Sequence, residues 1–198
     1  MNYLAHAYLS FGNEALLTGN MIADHVKGRA ALEAFPEGIK NGIILHRKID
    51  AFTDEHPATQ RAKILFRPAY RLYSGALLDS IFDHYLANDP QHFSSEAALK
   101  TFATETYDAL ARNEAYFPPT FAGYFPYMRE HDWLANYRTL QGIRRSLKGV
   151  ERRAKYMPDS TEAYEIFVGY YYQINQAYFE LMDDLVKYVK TEIGGGHT

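Results

Sequence analysis

Three side chains able to hold a metal ion, His46, Asp50 and Asp54, follow one another at four-residue steps in GIILHRKIDAFTDEHP. Residues four apart stand one above the other on a helix, so this spacing lines them along one face. The same step recurs in Asn2–His6, Asn20–Asp24 and Asp79–Asp83, the last followed directly by His84. Each pair sits among apolar neighbours, in YLAHAYL, LLTGNMIADHV and GALLDSIFDHYL. An ionised carboxylate in such a stripe is costly unless it is paired or metal-bound. Any one pair alone reads as a cap or a surface patch, and His6 alone reads better as a satisfied core histidine. Four on successive helices predict a shared histidine–carboxylate metal site.

With no cysteine in the chain, disulfides, thiolate sites and cysteine nucleophiles are excluded. The available nitrogen and oxygen donors favour Mn²⁺, Fe²⁺, Mg²⁺ or Zn²⁺ over soft ions. An ion of that kind lowers the pKa of a bound water and polarises a phosphoryl oxygen. Carboxylates left over can orient the ligating rings. Arg47, beside His46, could grip a phosphate bidentately or form a surface salt bridge. Asp54 either extends the metal wall or ends its helix before Pro57. His25 points about 100° away from Asp24 and is a rim residue, His56 lies in a turn, and His92 and His131 have no partner at useful spacing. Phosphate-binding glycine loops, H-E-x-x-H, Glu-x-x-His and G-x-S-x-G are all absent.

The elements that must position these residues read as helices throughout, in an all-α single domain. No period-2 run bounded by turn signals appears. Breakers predict helices at about 2–11, 13–27, 36–54, 58–66, 68–88, 95–116, 130–155 (with a possible break at Gly142 or Gly149) and 160–192. FPPTFAGYFPYM, 117–128, carries three prolines and is expected as a loop with short helical pieces. In the last helix Tyr164, Phe167, Tyr171, Ile174, Tyr178, Leu181 and Leu185 form a stripe expected to pack the core. The domain is expected to span 1–193, with 194–198 as a disordered tail that discounts His197.

The chain's 198 residues, 47% hydrophobic and 23% charged, suit a soluble domain with its own core. The N-terminus has no basic leader before an apolar run, and no stretch approaches the ~20 apolar residues of a membrane span. A cytoplasmic protein is therefore expected, without membrane contact. A net charge of −3 argues against a nucleic-acid binder. Arg144, Arg145, Lys148, Arg152, Arg153 and Lys155 nonetheless form a basic strip that is either a solvated face or a dock for an acidic partner.

MNYLAHAYLS, GNMIADHVKG, GIILHRKIDAFTDEHP and LLDSIFDHYLA, in this order through about the first 90 residues, resemble the acyl carrier protein phosphodiesterase family. WLANYRTLQGIRRSL and the Arg152-Arg153 pair resemble a later family segment. The resemblance implies a divergent, all-helical relative of HD-type metal phosphohydrolases. It implies hydrolysis of holo-acyl carrier protein to apo-acyl carrier protein and 4'-phosphopantetheine, with a Mn²⁺-type requirement. A usual HD site has a His-Asp dipeptide; here His46 and Asp50 are four apart and Asp83-His84 is reversed. Joined to the spacing argument, the resemblance implies metal ligands His6, Asp24, His46, Asp50 and Asp83. Asp79 or His84 would protonate the leaving serine oxygen, and Arg47 would bind phosphate. Lys27, Arg29, Arg47 and Lys48 are an alternative dock for the acidic carrier. Two other functions fit the same text: an HD-like hydrolase of nucleotides or other small phosphodiesters, and a non-catalytic helical module that binds a partner without metal or turnover.

Overall fold

The structure, a computed structural model, describes residues 1–195. Residues 196–198, part of the tail expected to be disordered, lie outside the described residues, whereas Gly194 closes the last helix. Among the described residues there are helices and no strands: α1 (Tyr3–Tyr8), α2 (Glu14–Ile22), α3 (Arg29–Leu32), α4 (Glu37–Glu55), α5 (Pro57–Tyr70) and α6 (Ser74–Asn88) in the first half. The second half holds α7 (Glu96–Arg112), α8 (Pro119–Glu130), α9 (Trp133–Asn136), α10 (Leu140–Arg153), α11 (Thr161–Gly169) and α12 (Tyr171–Gly194). No helix among the described residues is long and apolar enough to cross a membrane.

Breaker residues mark most boundaries through hydrogen bonds that can be named. Asn13 accepts from the amides of Ala15 and Leu16 at the start of α2, Ser95 from Ala98 at the start of α7, and Thr139 from Gly142 at the start of α10. Proline was the less dependable signal. Pro68 and Pro126 lie inside α5 and α8, so α5 runs on to Tyr70 and the expected 117–128 loop is largely helix. Pro119 occupies the first turn of α8, where a missing amide hydrogen is tolerated. The expected 160–192 helix is instead interrupted at Tyr170, whose φ of −112° and ψ of 25° leave the helical range.

α2 and α4 make the closest helix pairing, because glycines meet at their crossing. A Cβ at Gly19 would collide with the Ile39 carbonyl oxygen and lie 2.7 Å from the Ile43 nitrogen; one at Gly42 would collide with the Leu16 carbonyl oxygen. α1 is wedged between this pair and α6, α12 covers α4 and α5, and α10 packs on α6. The apolar stripe of the last two helices enters the core as expected, with Phe167, Ile174, Tyr178, Leu181 and Leu185 buried.

Six-residue α1 is held to α6 by polar contacts. Asp83, fully buried, accepts from the amides of Leu4 at 2.7 Å, Asn2 at 3.2 Å and Ala5 at 3.3 Å. Asn2 donates through Nδ2 to Ser80 Oγ at 2.8 Å. These amides have no intrahelical partner, so a carboxylate opposite them satisfies several donors and complements the positive helix end. Burial nonetheless pushes the Asp83 carboxyl up to about 7.

Asp83→Ala is expected to lower unfolding free energy by about 2 to 4 kcal/mol, since it strands buried amide donors. Urea denaturation followed by circular dichroism checks this, and an unchanged midpoint would refute the capping role.

Candidate metal centre

His6 from α1, His46 and Asp50 from α4 bring their ligand atoms within 4.8 Å of one another. Asp50 Oδ1 is 3.2 Å from His6 Nε2, and its Oδ2 is 3.1 Å from His46 Nε2. Asp24 joins from the turn after α2, with Oδ1 3.3 Å from His46 Nε2. The two imidazoles are stacked, with centroids 3.9 Å apart and planes 17° apart. Both rings are buried, while the Asp50 side chain is 40% exposed and Asp24 more so. The centre therefore opens to solvent on its carboxylate side.

Asn20, fully buried on α2, fixes both rings. His46 Nδ1 lies 2.8 Å from the Asn20 backbone carbonyl, which can only accept, so Nδ1 carries the hydrogen. His6 Nδ1 lies 2.9 Å from Asn20 Oδ1. The amide cannot be turned around, because its Nδ2 donates to the His6 carbonyl at 3.0 Å and to Ser10 Oγ at 3.1 Å. Ser10 in turn donates to the His6 carbonyl at 2.9 Å. His6 Nδ1 is therefore also the donor. Both Nε2 atoms are left aimed at carboxylate oxygens.

This donor set fits a divalent ion. Two neutral rings with lone pairs facing carboxylate oxygens repel unless something positive lies between, and a carbonyl-anchored imidazole is a familiar metal ligand. The donor separations of 3.1 and 3.2 Å suit neighbouring positions around an ion with bonds of about 2.1 Å. Without an ion a proton does part of the same work. Burial acts to lower His46, but its hydrogen bonds to Asp24 and Asp50 outweigh it and raise the imidazole to about 9. Burial and the His46 charge hold His6 at about 4. Burial opposes ionisation of Asp50, yet the hydrogen bond from His46 and the nearby Met1 ammonium hold its carboxyl far below the usual range. The His46 hydrogen bond likewise lowers Asp24.

The other expected site residues stand apart from this cluster. Asp83, expected as a ligand, has both oxygens occupied by the amides that start α1. His84, expected as a catalytic acid, is buried between the Tyr137 carbonyl, 2.7 Å from Nδ1, and the Tyr171 hydroxyl, 3.1 Å from Nε2. It ties α6 to α12 and the end of α9, and burial lowers its pKa. Arg47 donates to the Val26 carbonyl at 3.0 Å and points off the metal face, as a residue next to His46 must. Asp79 lies nearer, 2.9 Å from the Met1 amino group, which also reaches Asp50 Oδ1 at 3.5 Å. Burial raises the Asp79 carboxyl despite that neighbour. Asp54, the third member of the α4 stripe, pairs with Lys63 at 2.6 Å.

Tyr3 and Tyr124 escaped sequence reasoning. Their hydroxyls are 2.8 Å apart, and Tyr124 lies 2.7 Å from His25 Nε2, so the expected rim histidine ends a hydrogen-bond chain beside Asp24. Tyr124 falls in the proline-rich segment, where no helical spacing offered a signal.

A family profile described as "Acyl carrier protein phosphodiesterase" matches residues 1–185. An acyl carrier protein phosphodiesterase of Enterobacter sp. (strain 638) is 35% identical over 153 residues, covering 77% of this chain and 79% of the relative. Proteins of the same description from Salmonella paratyphi A and Escherichia coli O139:H28 are each 33% identical over the same shares. No solved structure matches.

Asn20→Ala is expected to weaken Mn²⁺ binding about 10- to 100-fold, as loss of a ring-orienting partner does. Isothermal calorimetry of the folded variant measures it. Native affinity would mean that the rings hold their orientation without Asn20.

Proposed function

The chain belongs to the acyl carrier protein phosphodiesterase family, and from that premise we propose that it hydrolyses holo-acyl carrier protein to apo-acyl carrier protein and 4'-phosphopantetheine in the cytoplasm. The observation that carries this reading is the convergence of His6, His46 and Asp50 on one solvent-open point under the control of Asn20. His6, His46 and Asp50 would hold a divalent ion, with Asp24 at its open side; Mn²⁺ is the ion the family resemblance favours. A bound ion of that class supplies a polarised phosphoryl group and a water acidified toward neutral pH.

The chain's own groups do the rest. Asn20 holds both imidazoles as Nδ1–H tautomers, so neither ring has to turn when substrate arrives. Asp24 is the exposed carboxylate at the mouth and is placed to take a proton from the attacking water. Water attacks phosphorus, the bond from phosphorus to the serine oxygen breaks, and the serine oxygen takes up a proton. Asp79 is the candidate donor, because it adjoins the cluster through the Met1 amino group and burial raises its carboxyl. His84 is committed to Tyr137 and Tyr171, which leaves Asp79 as the better of the two expected acids.

Mass spectrometry of the carrier tests the reading directly. Native protein with Mn²⁺ is expected to remove phosphopantetheine, while chelator or a folded Asp50→Ala variant abolishes conversion. Failure of folded, metal-loaded native protein to convert the carrier would refute it.

The proton donor has its own test in leaving-group dependence. Asp79→Asn is expected to slow release of the carrier's serine about 10²-fold or more, in the range of general acid catalysis. Hydrolysis of bis(p-nitrophenyl) phosphate, whose leaving group needs no proton, should change much less. Equal losses on both substrates would remove Asp79 from the acid role.

A further inference from the structure

Past the metal cluster, the α4 stripe continues into a second feature. Asp54, one turn beyond Asp50, lines a pocket of about 310 Å³ with Lys63, Arg67, Arg71 and Asp79. Asp79 also contacts the Met1 amino group that reaches Asp50, so the pocket and the cluster share a wall.

Two of the pocket's cations lack acidic partners. Lys63 is neutralised by Asp54, but Arg67 donates to the uncharged Gln60 at 2.8 Å. Among the described residues neither Arg67 nor Arg71 has a carboxylate within ion-pair distance. Arg71 sits at φ +45°, in the left-handed region that a non-glycine residue rarely adopts. The turn it makes leaves the next residue, Leu72, 96% exposed. An arginine pair around a fully exposed leucine beside a candidate active centre is a surface suited to a partner with acidic groups around an apolar spot.

Three members of the basic strip along and just after α10 are already engaged, while Arg145, Arg152 and Arg153 have no ion pair among the described residues. Arg144 lies over the Tyr164 ring, Lys148 pairs with Glu151 and Asp159, and Lys155 lies over Tyr156. Reach also bears on the choice. The scissile phosphorus is bonded directly to the carrier's serine oxygen, so the body of the carrier must rest on surface adjoining the cluster, whereas the pantetheine arm can extend away.

We propose that Arg67, Arg71 and Leu72, at the corner between α5 and α6, form the lip on which the acidic carrier protein docks while its modified serine reaches the His6–His46–Asp50 cluster. This inference rests on the carrier-phosphodiesterase reading.

Steady-state kinetics of Arg67→Glu/Arg71→Glu with holo-carrier and with bis(p-nitrophenyl) phosphate test the lip. KM for the carrier is expected to rise about tenfold or more, with a smaller difference at high salt. Turnover of the small diester should stay at the native level. Changing acidic residues beside the carrier's serine to lysine should restore part of the loss. An unchanged carrier KM, with the rise appearing in Arg152→Glu/Arg153→Glu instead, would overturn the proposal and move docking to α10. Equal loss on both substrates would also overturn it, by showing that the arginines serve the centre and not the carrier. If native protein cleaves the small diester but not the carrier, the underlying reading fails, and that failure is distinct because it needs no variant.

Discussion

The candidate centre depends on backbone-to-backbone approach between α2 and α4. Gly19 and Gly42 let the two helices touch without intervening side chains, which brings the Asn20 carbonyl to 2.8 Å from His46 Nδ1. A crossing made by ordinary side chains stands 8–10 Å between axes and would leave that carbonyl out of reach. From this contact the rest follows. Asn20 orients His46 through its main chain and His6 through its side chain, and the two Nε2 atoms then meet the Asp50 carboxylate. Small residues at one crossing thus decide the chemistry of another element's side chains.

The centre combines a rigid half with an open half. The imidazoles, Asn20 and Ser10 are buried and mutually hydrogen-bonded, whereas Asp50 and Asp24 face solvent. Rings that cannot turn and carboxylates that can be approached are the division of labour expected where a phosphoryl group must enter from water and meet preset ligands. The same division separates the two ends of the α4 stripe. His46 faces the interior, Asp50 the boundary, and Asp54 a basic surface pocket.

Much of this was legible in the sequence, for a physical reason. Helical spacing reports which residues share a face, and carboxylates or histidines within apolar runs report that the face is unusual. That logic grouped His6, Asp24, His46 and Asp50 and placed Asn20 on the same stripe as Asp24. It misjudged Asp83 because a buried acid beneath a metal-capable histidine can also be serving the amides of a neighbouring helix, and spacing along one helix carries no information about the start of another. His84 was equally opaque, since its partners, Tyr137 and Tyr171, are more than fifty residues away in the chain. Proline misled at positions 68 and 126, where packing holds the helix through a lost hydrogen bond. The Tyr3–Tyr124–His25 chain joins segments that no local pattern relates.

His6 rides on a helix of only six residues. So short a helix is not stable by itself in water, and it exists here because Asp83, Ser80 and Asn20 grip it from two other elements. Loss of that grip would detach one candidate ligand from the other two while α2, α4 and α6 remained packed. Local unfolding of the first ten residues would therefore dismantle the centre without global denaturation. Amide exchange in this segment, more than the melting temperature of the whole chain, would follow the fraction of molecules competent to bind an ion.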